Sequence, residues 1–348
     1  MLPSCRPLPR RALLAGACGA ALRAQSCDVP EDLKTPYKLG RLVIPPGGRA
    51  GDFDSKGADC PFVYYHGGLY WMTYVGFDGV GYQTGLASST DLVRWKKEGL
   101  LLRRDPSNPI IRYNVALTWI LRENGVFDPG QLKKAGGLYL GTYHAYPQPG
   151  YEAGPAAIGL AWSEDQRRWR LDPPCLTSQD GAEWERGGLY KSCLVEHEGT
   201  YYMFYNAKNQ ASPWREQIGV ATSRDLKSWA RYPGNPILAN GGPGSLDEIF
   251  ASDPCVLRYR DQWATFYFSL DKRGVARDVL ALGPDLLSPH KCGGVLVDVG
   301  GPGSADSRYA HKPSIICREG VLYHFYCAVS KEYGRGISVA ASRPWPKS

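Results

Sequence analysis

The chain has 348 residues, of which 43% are hydrophobic and 22% charged, and its formal net charge is +7. This length suits one large domain or two ordinary ones, and the balance of hydrophobic and charged residues excludes a disordered chain. The 22 Tyr, 10 Trp, 41 Gly and 27 Pro are typical of many short strands joined by turns, because aromatic residues favour strands and Gly and Pro interrupt them.

Residues 1–26 have the layout of an export signal. Arg10 and Arg11 precede an apolar run over residues 12–22, and Ala24 offers a small residue for cleavage. The arginine pair resembles a twin-arginine signal, and a Sec signal and a lipoprotein anchor at Cys18 are the alternatives. We therefore predict that the protein is exported to the periplasm or the extracellular space, and that residues 27–348 form a single domain.

Most of the positive charge lies in this signal. Residues 1–26 contain four arginines and no acid, so residues 27–348 carry 37 basic and 34 acidic side chains and a net charge of +3. This near balance removes the electrostatic support for a nucleic-acid partner. No later segment is apolar for about 18 consecutive residues, so we predict no membrane span in the mature chain.

Eight of the ten cysteines lie in residues 27–348, and their spacings match no zinc motif. Cys60, Cys193 and Cys255 fall inside apolar runs that read as strands. We predict that the cysteines are buried free thiols that pack as small hydrophobic side chains.

Five segments repeat one pattern of a polar anchor, an apolar run, a turn and an aromatic strand. They begin at Ala58, Phe127, Tyr190, Ser252 and His311. The second residue of each segment is its anchor, and the anchors recur at intervals of 59 to 69 residues: Asp59, Asp128, Lys191, Asp253 and Lys312. Three repeats continue with a further strand and an aspartate-to-tryptophan turn, which is most complete in the SRDLKSW sequence of residues 223–229.

Four short strands in each of five repeats predict an all-β fold, a five-bladed β-propeller of four-stranded antiparallel blades. The blades cover about residues 55–345, and the run over residues 39–44 is expected to add a closing strand to the last blade. In this topology the anchors converge on the axis at one face of the ring. Loops at the opposite face are short and glycine-rich.

The face with the anchors is the predicted functional site. Three carboxylates in register around one axis are costly to cluster unless they have a function, because like charges and burial both penalise them. Further candidates to bind a substrate are Tyr143, His144, Lys191, Lys208, Trp214, Glu216, His311, Lys312 and Arg335.

The aspartate-led inner strand, the YYMFY strand over residues 201–205, the GVATSRDLKSW segment over residues 219–229 and the NPI tags at Asn108 and Asn235 resemble the five-bladed propeller glycoside hydrolases. That group includes families 32, 43, 62, 68, 117 and 130. The resemblance covers nearly the whole mature chain. It implies a glycosidase that binds the end of an oligosaccharide or polysaccharide chain.

The resemblance also implies roles for individual residues. Asp59 matches the general base or nucleophile, and Asp128 matches the residue that orients it. Lys191 stands where the family has its acidic glutamate, so the proton donor is sought among Glu185, Glu183, Asp253 and His311, with Glu185 preferred. No cofactor is required, and a structural calcium ion on the axis is the alternative.

We therefore predict a secreted glycoside hydrolase that acts on the chain ends of plant or algal oligosaccharides, because a deep funnel admits chain ends. Such cleavage needs one protonated acid and one ionised carboxylate. One alternative is a phosphorylase or transglycosylase, in which Lys191, Lys312 and Arg335 would bind phosphate. The other is a carbohydrate-binding propeller without catalysis.

Overall fold

The computed structural model describes residues 27–346, which form strands, turns and two short 3-10 helices. The predicted export signal, including the alternative anchor at Cys18, lies outside the described residues. Over residues 27–346, no helix has the length and apolar character needed to cross a membrane.

The described residues begin with two short strands and continue into an antiparallel group. β1 (Cys27–Asp28) and β2 (Tyr37–Lys38) flank a 3-10 helix, Glu31–Leu33. The group that follows pairs in sequence order and consists of β3 (Gly57–His66), β4 (Leu69–Phe77), β5 (Tyr82–Ser89) and β6 (Lys96–Leu102). The tight turn from β3 to β4 needs two consecutive residues with positive φ, which Gly67 (φ 59°) and Gly68 (φ 82°) supply.

The second group differs from the sequence prediction. It consists of β7 (Ala116–Ile120), β8 (Lys134–Ala135), β9 (Leu138–Ala145), β10 (Ala157–Ser163) and β11 (Arg170–Leu176), in the order β11-β10-β9-β7 with β8 also on β9. The inner strand is therefore β7, and the prediction that Asp128 begins it is wrong. The ALTWI sequence of β7 has no charged anchor, and residues 121–137, which include β8, separate it from β9.

The remaining strands repeat the order of the first group. After a 3-10 helix, Glu183–Glu185, come β12 (Gly188–His197), β13 (Thr200–Lys208), β14 (Glu216–Ser223) and β15 (Ala230–Arg231). They are followed by β16 (Phe250–Tyr259), β17 (Gln262–Leu270), β18 (Ala276–Gly283), β19 (His290–Gly293), β20 (Tyr309–Arg318), β21 (Val321–Ser330) and β22 (Gly334–Ala341). Short parallel pairings of β14 with β16 and of β18 with β20 join these strands into one sheet.

Two contacts connect the first described residues to later strands. β2 pairs antiparallel with β22, so the closing strand comes just before the predicted run over residues 39–44, in which Ile44 forms an isolated bridge with Ile337. Cys27 and Cys292 form a disulfide between β1 and β19, so the prediction of free thiols is wrong for this pair. The six other cysteines in residues 27–346 are free: Cys60, Cys175, Cys193, Cys255, Cys317 and Cys327.

A bulge near the start of four inner strands sets which residues are equivalent. Pairing with the next strand skips two residues after Asp59, Tyr190, Ser252 and His311. The first skipped residue has a positive φ in each case: Cys60 (47°), Lys191 (44°), Asp253 (53°) and Lys312 (68°). Lys191, Asp253 and Lys312 are thus equivalent to Cys60 and not to Asp59, and the predicted alignment of the anchors is wrong by one residue.

A tyrosine–acid–cation triad recurs at four positions between strands. The hydroxyl of a buried tyrosine in the second strand donates a hydrogen bond to the carboxylate of an acid 20 residues earlier in the sequence. The same carboxylate also forms an ion pair with a lysine or arginine near an outer strand. The triads are Tyr74–Asp54–Lys97, Tyr205–Glu185–Arg231, Tyr267–Asp247–Lys291 and Tyr326–Asp306–Lys38. In the last triad the cation belongs to β2, which ties the first described residues to the last strands.

Candidate active site

A cavity of about 180 Å³ lies at the end of the sheet where the inner strands begin. Its wall combines the first residues of inner strands, the last residues of second strands, the first residues of third strands and two loops. The lining residues are Tyr151, Glu152, Tyr190, Trp214, Glu216, Phe250, Asp253, Phe268, Leu270, Ala276, Tyr309, His311, Lys312 and Arg335. The strand ends therefore bring together three carboxylic acids, two cations and several aromatic rings.

Asp59 lies behind this wall as a buried counter-ion. Its Oδ2 accepts hydrogen bonds from Tyr151 Oη (3.1 Å), Lys312 Nζ (3.1 Å) and Arg335 Nη1 (2.9 Å). Burial alone would raise the pKa of Asp59, but the charges of Lys312 and Arg335 outweigh it and hold the pKa well below its usual value. Because its oxygens are occupied and it does not line the cavity, the geometry does not support Asp59 as base or nucleophile.

Lys312 links this counter-ion to the cavity. Its Nζ lies 3.6 Å from Glu152 Oε1 and 4.0 Å from Asp253 Oδ2, in addition to its contact with Asp59. Burial alone would lower the pKa of Lys312, but the neighbouring negative charges, that of Asp59 first, raise it well above its usual value. The lysine is therefore a fixed positive charge between three carboxyl groups.

Asp253 is the predicted catalytic residue that does line the cavity. Its Oδ1 accepts a hydrogen bond from Ser252 Oγ (3.1 Å), whereas its Oδ2 has no hydrogen-bond partner among residues 27–346. Burial raises the pKa of Asp253 to about 7, and the charges of Glu216 and Asp59 act in the same direction. This second oxygen is buried in the wall, where the ammonium of Lys312 lies 4.0 Å away.

Glu216 is a second acid whose environment favours the protonated form. Its Oε1 accepts a hydrogen bond from Trp214 Nε1 (3.0 Å), and its Oε2 lies 2.6 Å from Ser252 Oγ. Burial raises the pKa of Glu216, and the charge of Glu152 raises it further. A raised pKa favours the protonated form, which is the form that a general acid needs in order to protonate a leaving group.

Glu152 is the acid of the cavity wall that sequence analysis missed. It has a positive φ of 52° in the loop between β9 and β10. Its Oε1 accepts a hydrogen bond from Tyr82 Oη (3.2 Å), and the ammonium of Lys312 gives it a counter-ion. No repeat or motif marks this position, so its only sequence signal is its place in a loop at the predicted functional face.

Three other predicted acids lie away from the cavity wall. Asp128 is exposed in a turn, where its Oδ2 accepts a hydrogen bond from the backbone of Gly125 (2.8 Å). Glu185 belongs to the triad with Tyr205, whose hydroxyl lies 2.5 Å from Glu185 Oε1, and Glu183 is exposed in the same 3-10 helix. The structure does not bring these acids together with Asp253.

His311 lines the cavity as a neutral imidazole. Its Nδ1 lies 3.0 Å from the carbonyl of Cys327 and therefore carries the ring hydrogen. Burial lowers the pKa of His311 well below its usual value, and the charges of Arg335 and Lys312 add to this effect. The geometry does not support His311 as proton donor, because its remaining nitrogen, Nε2, is left as an acceptor.

Of the residues predicted to bind substrate, Trp214, Glu216, His311, Lys312 and Arg335 line the cavity, and four others do not. Tyr143 donates its hydroxyl proton to the carbonyl of Asp172 (2.6 Å). The backbone of Lys191 donates to His144 Nδ1 (3.2 Å), and burial lowers the pKa of His144 to about 3. Lys191 is buried, and Lys208 donates to the carbonyl of Glu152 (3.0 Å).

Aromatic rings complete the wall. Trp214 is 41% exposed and stacks on Phe250, with ring centroids 6.2 Å apart and planes 19° apart. Flat aromatic faces of this kind pack against the apolar faces of sugar rings.

Among residues 27–346, no three His, Cys, Asp or Glu side chains are grouped so as to hold a metal ion. The structural calcium ion therefore stays an untested prediction.

Comparisons of sequence relate the protein to glycosyl hydrolases. The sequence model of the glycosyl hydrolases family 32 N-terminal domain matches residues 123–277. No curated protein matches the sequence.

Comparisons with solved structures give matches that cover nearly the whole length of the protein. A structure described as a complex of BT0996 with RGII is 30% identical, with a TM-score of 0.81 over 91% of this protein and 94% of that one. A second, described as "Glycoside hydrolase", is 29% identical, with a TM-score of 0.79 over the same shares of the two proteins. A structure from the GH130 family of mannoside phosphorylases and glycoside hydrolases is 15% identical, with a TM-score of 0.66 over 93% of this protein and 99% of that one.

Proposed function

The protein belongs to the β-propeller glycoside hydrolase superfamily and is a glycosidase, and from that premise we propose that it removes a terminal sugar from an oligosaccharide. The observation that carries this proposal is the pair of glutamates, Glu152 and Glu216, on the wall of one cavity. The strand order supports five blades of four strands that begin at β3, β7, β12, β16 and β20, with β2 completing the last blade.

Glu216 acts as the general acid. Glycosidic cleavage requires a proton at the leaving oxygen, and burial together with the charge of Glu152 favours the protonated form of Glu216. The indole of Trp214 fixes its Oε1 from one side. This arrangement keeps a proton available at a defined position on the wall.

Glu152 supplies the ionised carboxylate. Lys312 Nζ lies 3.6 Å from its Oε1, and the hydroxyl of Tyr82 donates to the same oxygen. A fixed cation and a hydrogen-bond donor both stabilise a negative charge. The carboxylate either activates a water molecule or attacks the sugar directly, according to its distance from Glu216 when the substrate is bound.

The other polar groups hold the sugar. Asp253 lies on the wall of the cavity and is held there by Ser252, so its carboxyl group is placed to orient a bound sugar. Tyr151 and Arg335 are fixed by Asp59 behind the wall, so their remaining surface is held in place for binding. A cavity of about 180 Å³ takes a chain end more readily than the middle of a chain, which supports exo-action.

The cations of the wall favour hydrolysis over phosphorolysis. Lys312 and Arg335 are both paired with Asp59, and Lys191 does not line the cavity. No pair of uncompensated cations among the described residues therefore faces the space in which phosphate would bind. The disulfide between Cys27 and Cys292 supports export, because such bonds persist in oxidising compartments.

The test is the hydrolysis of RGII oligosaccharides and of 4-nitrophenyl furanosides and pyranosides. On the RGII oligosaccharides, whose sugar leaving groups need a proton, we expect E216Q and E152Q each to lower kcat by about 10²-fold or more, as is typical when an acid or base is removed. D128N is the matched control, because Asp128 is an exposed acid outside the wall, and it should keep wild-type activity. Full activity of both glutamate variants, or loss of activity in D128N, would contradict the assignment.

A further inference from the structure

Lys208 is a nearly buried lysine without a carboxylate partner. It is the last residue of β13, only 9% of its surface is exposed, and it forms no ion pair with any residue over 27–346. Lys312 in the same region contacts three carboxyl groups. A buried ammonium is costly unless it is compensated, so the contacts that Lys208 does make need an explanation.

Those contacts are three aromatic rings and one carbonyl. The Nζ of Lys208 lies over Tyr146, Tyr190 and Trp214, at 5.6, 5.8 and 5.2 Å from their ring centroids. It also donates a hydrogen bond to the backbone carbonyl of Glu152 (3.0 Å). Cation–π attraction of this kind strengthens when the cation is withdrawn from water. We name these contacts of Lys208 the lysine cage.

The lysine cage is connected to both glutamates of the proposed reaction, through the backbone carbonyl of Glu152 and through the indole of Trp214, which contacts Glu216. Its carbonyl contact fixes Glu152, a non-glycine residue held at a positive φ of 52°. Its contact with Trp214 holds the indole whose Nε1 donates to Glu216 Oε1 (3.0 Å). Lys208 and Glu216 are also directly opposite each other in the pairing of β13 with β14.

We propose that Lys208 is a positioning residue, which sets the places of the general acid and of the ionised carboxylate without touching the substrate. This inference rests on the proposed function. It replaces the sequence-based prediction that Lys208 binds substrate, because its ammonium is already enclosed by the cage and lies outside the cavity wall.

The test compares leaving groups, since poor leaving groups depend on the general acid more strongly than good ones do. On the aryl glycosides that the enzyme accepts, we expect K208M to lower kcat at least about tenfold for 4-methoxyphenyl and less than about threefold for 2,4-dinitrophenyl leaving groups. K208R keeps the charge and should recover part of the loss. K134M is the matched control, because Lys134 lies 4.7 Å from the ring centroid of Tyr139 in an exposed contact, and it should behave as wild type.

A loss in K208M that is equal for both leaving groups, or no loss, would overturn the proposal. If K208M does not fold, the same leaving groups are compared in W214F, because this variant keeps an aromatic ring near Lys208 but removes the indole N–H that donates to Glu216. W214F should then show the same dependence on the leaving group, and its absence would refute the link. E216Q in the same assay tests the proposed function separately. A selective loss in E216Q without one in K208M or W214F refutes the positioning role alone.

Discussion

Replacing Glu185 by glutamine should destabilise the fold and leave the turnover of the folded enzyme close to that of the wild type. Glu185 is buried, and its carboxylate accepts a hydrogen bond from the hydroxyl of Tyr205 (2.5 Å) and forms an ion pair with Arg231 (3.2 Å). Three other triads place an acid in the same relation to a tyrosine 20 residues later. This repetition assigns Glu185 to the joint between strands and not to the reaction.

The size of the effect follows from these contacts. Breaking a buried ion pair costs about 3–5 kcal/mol, and hydrogen bonds to charged groups contribute about 1.5–3 kcal/mol. The side chain of Arg231 is 23% exposed, so solvent compensates part of its lost partner. We therefore expect E185Q to lower the free energy of unfolding by about 2–4 kcal/mol, a large share of the roughly 5–15 kcal/mol typical of a domain.

The assay is urea unfolding at pH 7, together with kcat measured per folded molecule. Glu183 lies in the same 3-10 helix but is exposed, so E183Q is the matched control and should change stability by less than about 0.5 kcal/mol. Y205F combined with E185Q should show a coupling energy of about 0.5–3 kcal/mol, because the two residues are in direct contact. If E185Q kept full stability and lost activity, Glu185 would be catalytic and our reasoning would be refuted.

Two further variants test the charges and the cross-link. The carboxyl of Asp253 ionises near pH 4 in the unfolded chain and has a pKa of about 7 in the folded protein, so its ionisation lowers the stability of the wild type by up to about 4 kcal/mol as the pH rises through that window. The free energy of unfolding, measured as a function of pH, should not show this loss in D253N. Parallel pH profiles of the wild type and D253N would contradict the raised pKa of Asp253. The disulfide of Cys27 and Cys292 closes a separation of 265 residues, so C292S should lower the free energy of unfolding by about 2–5 kcal/mol. Reductant should destabilise the wild type but not C292S, and equal sensitivity would show that the bond does not form.

The sequence predicted the strands well where a repeat kept its polar anchor and its aromatic strand. The segments that begin at Ala58, Tyr190, Ser252 and His311 all form an inner strand and the strand beside it. The prediction was wrong for the repeat at Phe127, because the inner strand over residues 116–120 has no charged anchor and a long connection follows it. Apolar strands of this kind are recognised only by their pairing in three dimensions.

The functional residues were harder to predict, for two physical reasons. The bulge in each inner strand shifts the equivalence of residues by one, so that Asp59 corresponds to His311 and not to Lys312. Glu152 comes from an irregular loop and lines the same cavity as Glu216 only in the folded protein. The spacing of these two residues along the sequence does not predict that they line the same cavity.

The place of Glu185 in a triad could have been predicted from the sequence. Asp54, Asp247 and Asp306 each precede a second-strand tyrosine by 20 residues, and Glu185 has the same spacing to Tyr205. That regularity indicates a shared structural role. Closeness to the expected family position favoured a catalytic role instead, whereas in the structure the acid pairs with Arg231 and lies away from the cavity wall.

The most direct test of the paired glutamates is the pH dependence of kcat/KM for one accepted 4-nitrophenyl glycoside, in the wild type, E216Q and D253N. Burial and the charge of Glu152 raise the pKa of Glu216, so the wild type should lose activity at high pH as this acid gives up its proton. We predict that E216Q lowers the rate and removes this basic limb, while D253N keeps it. A basic limb that persists in E216Q and disappears in D253N would contradict the account and identify Asp253 as the proton donor.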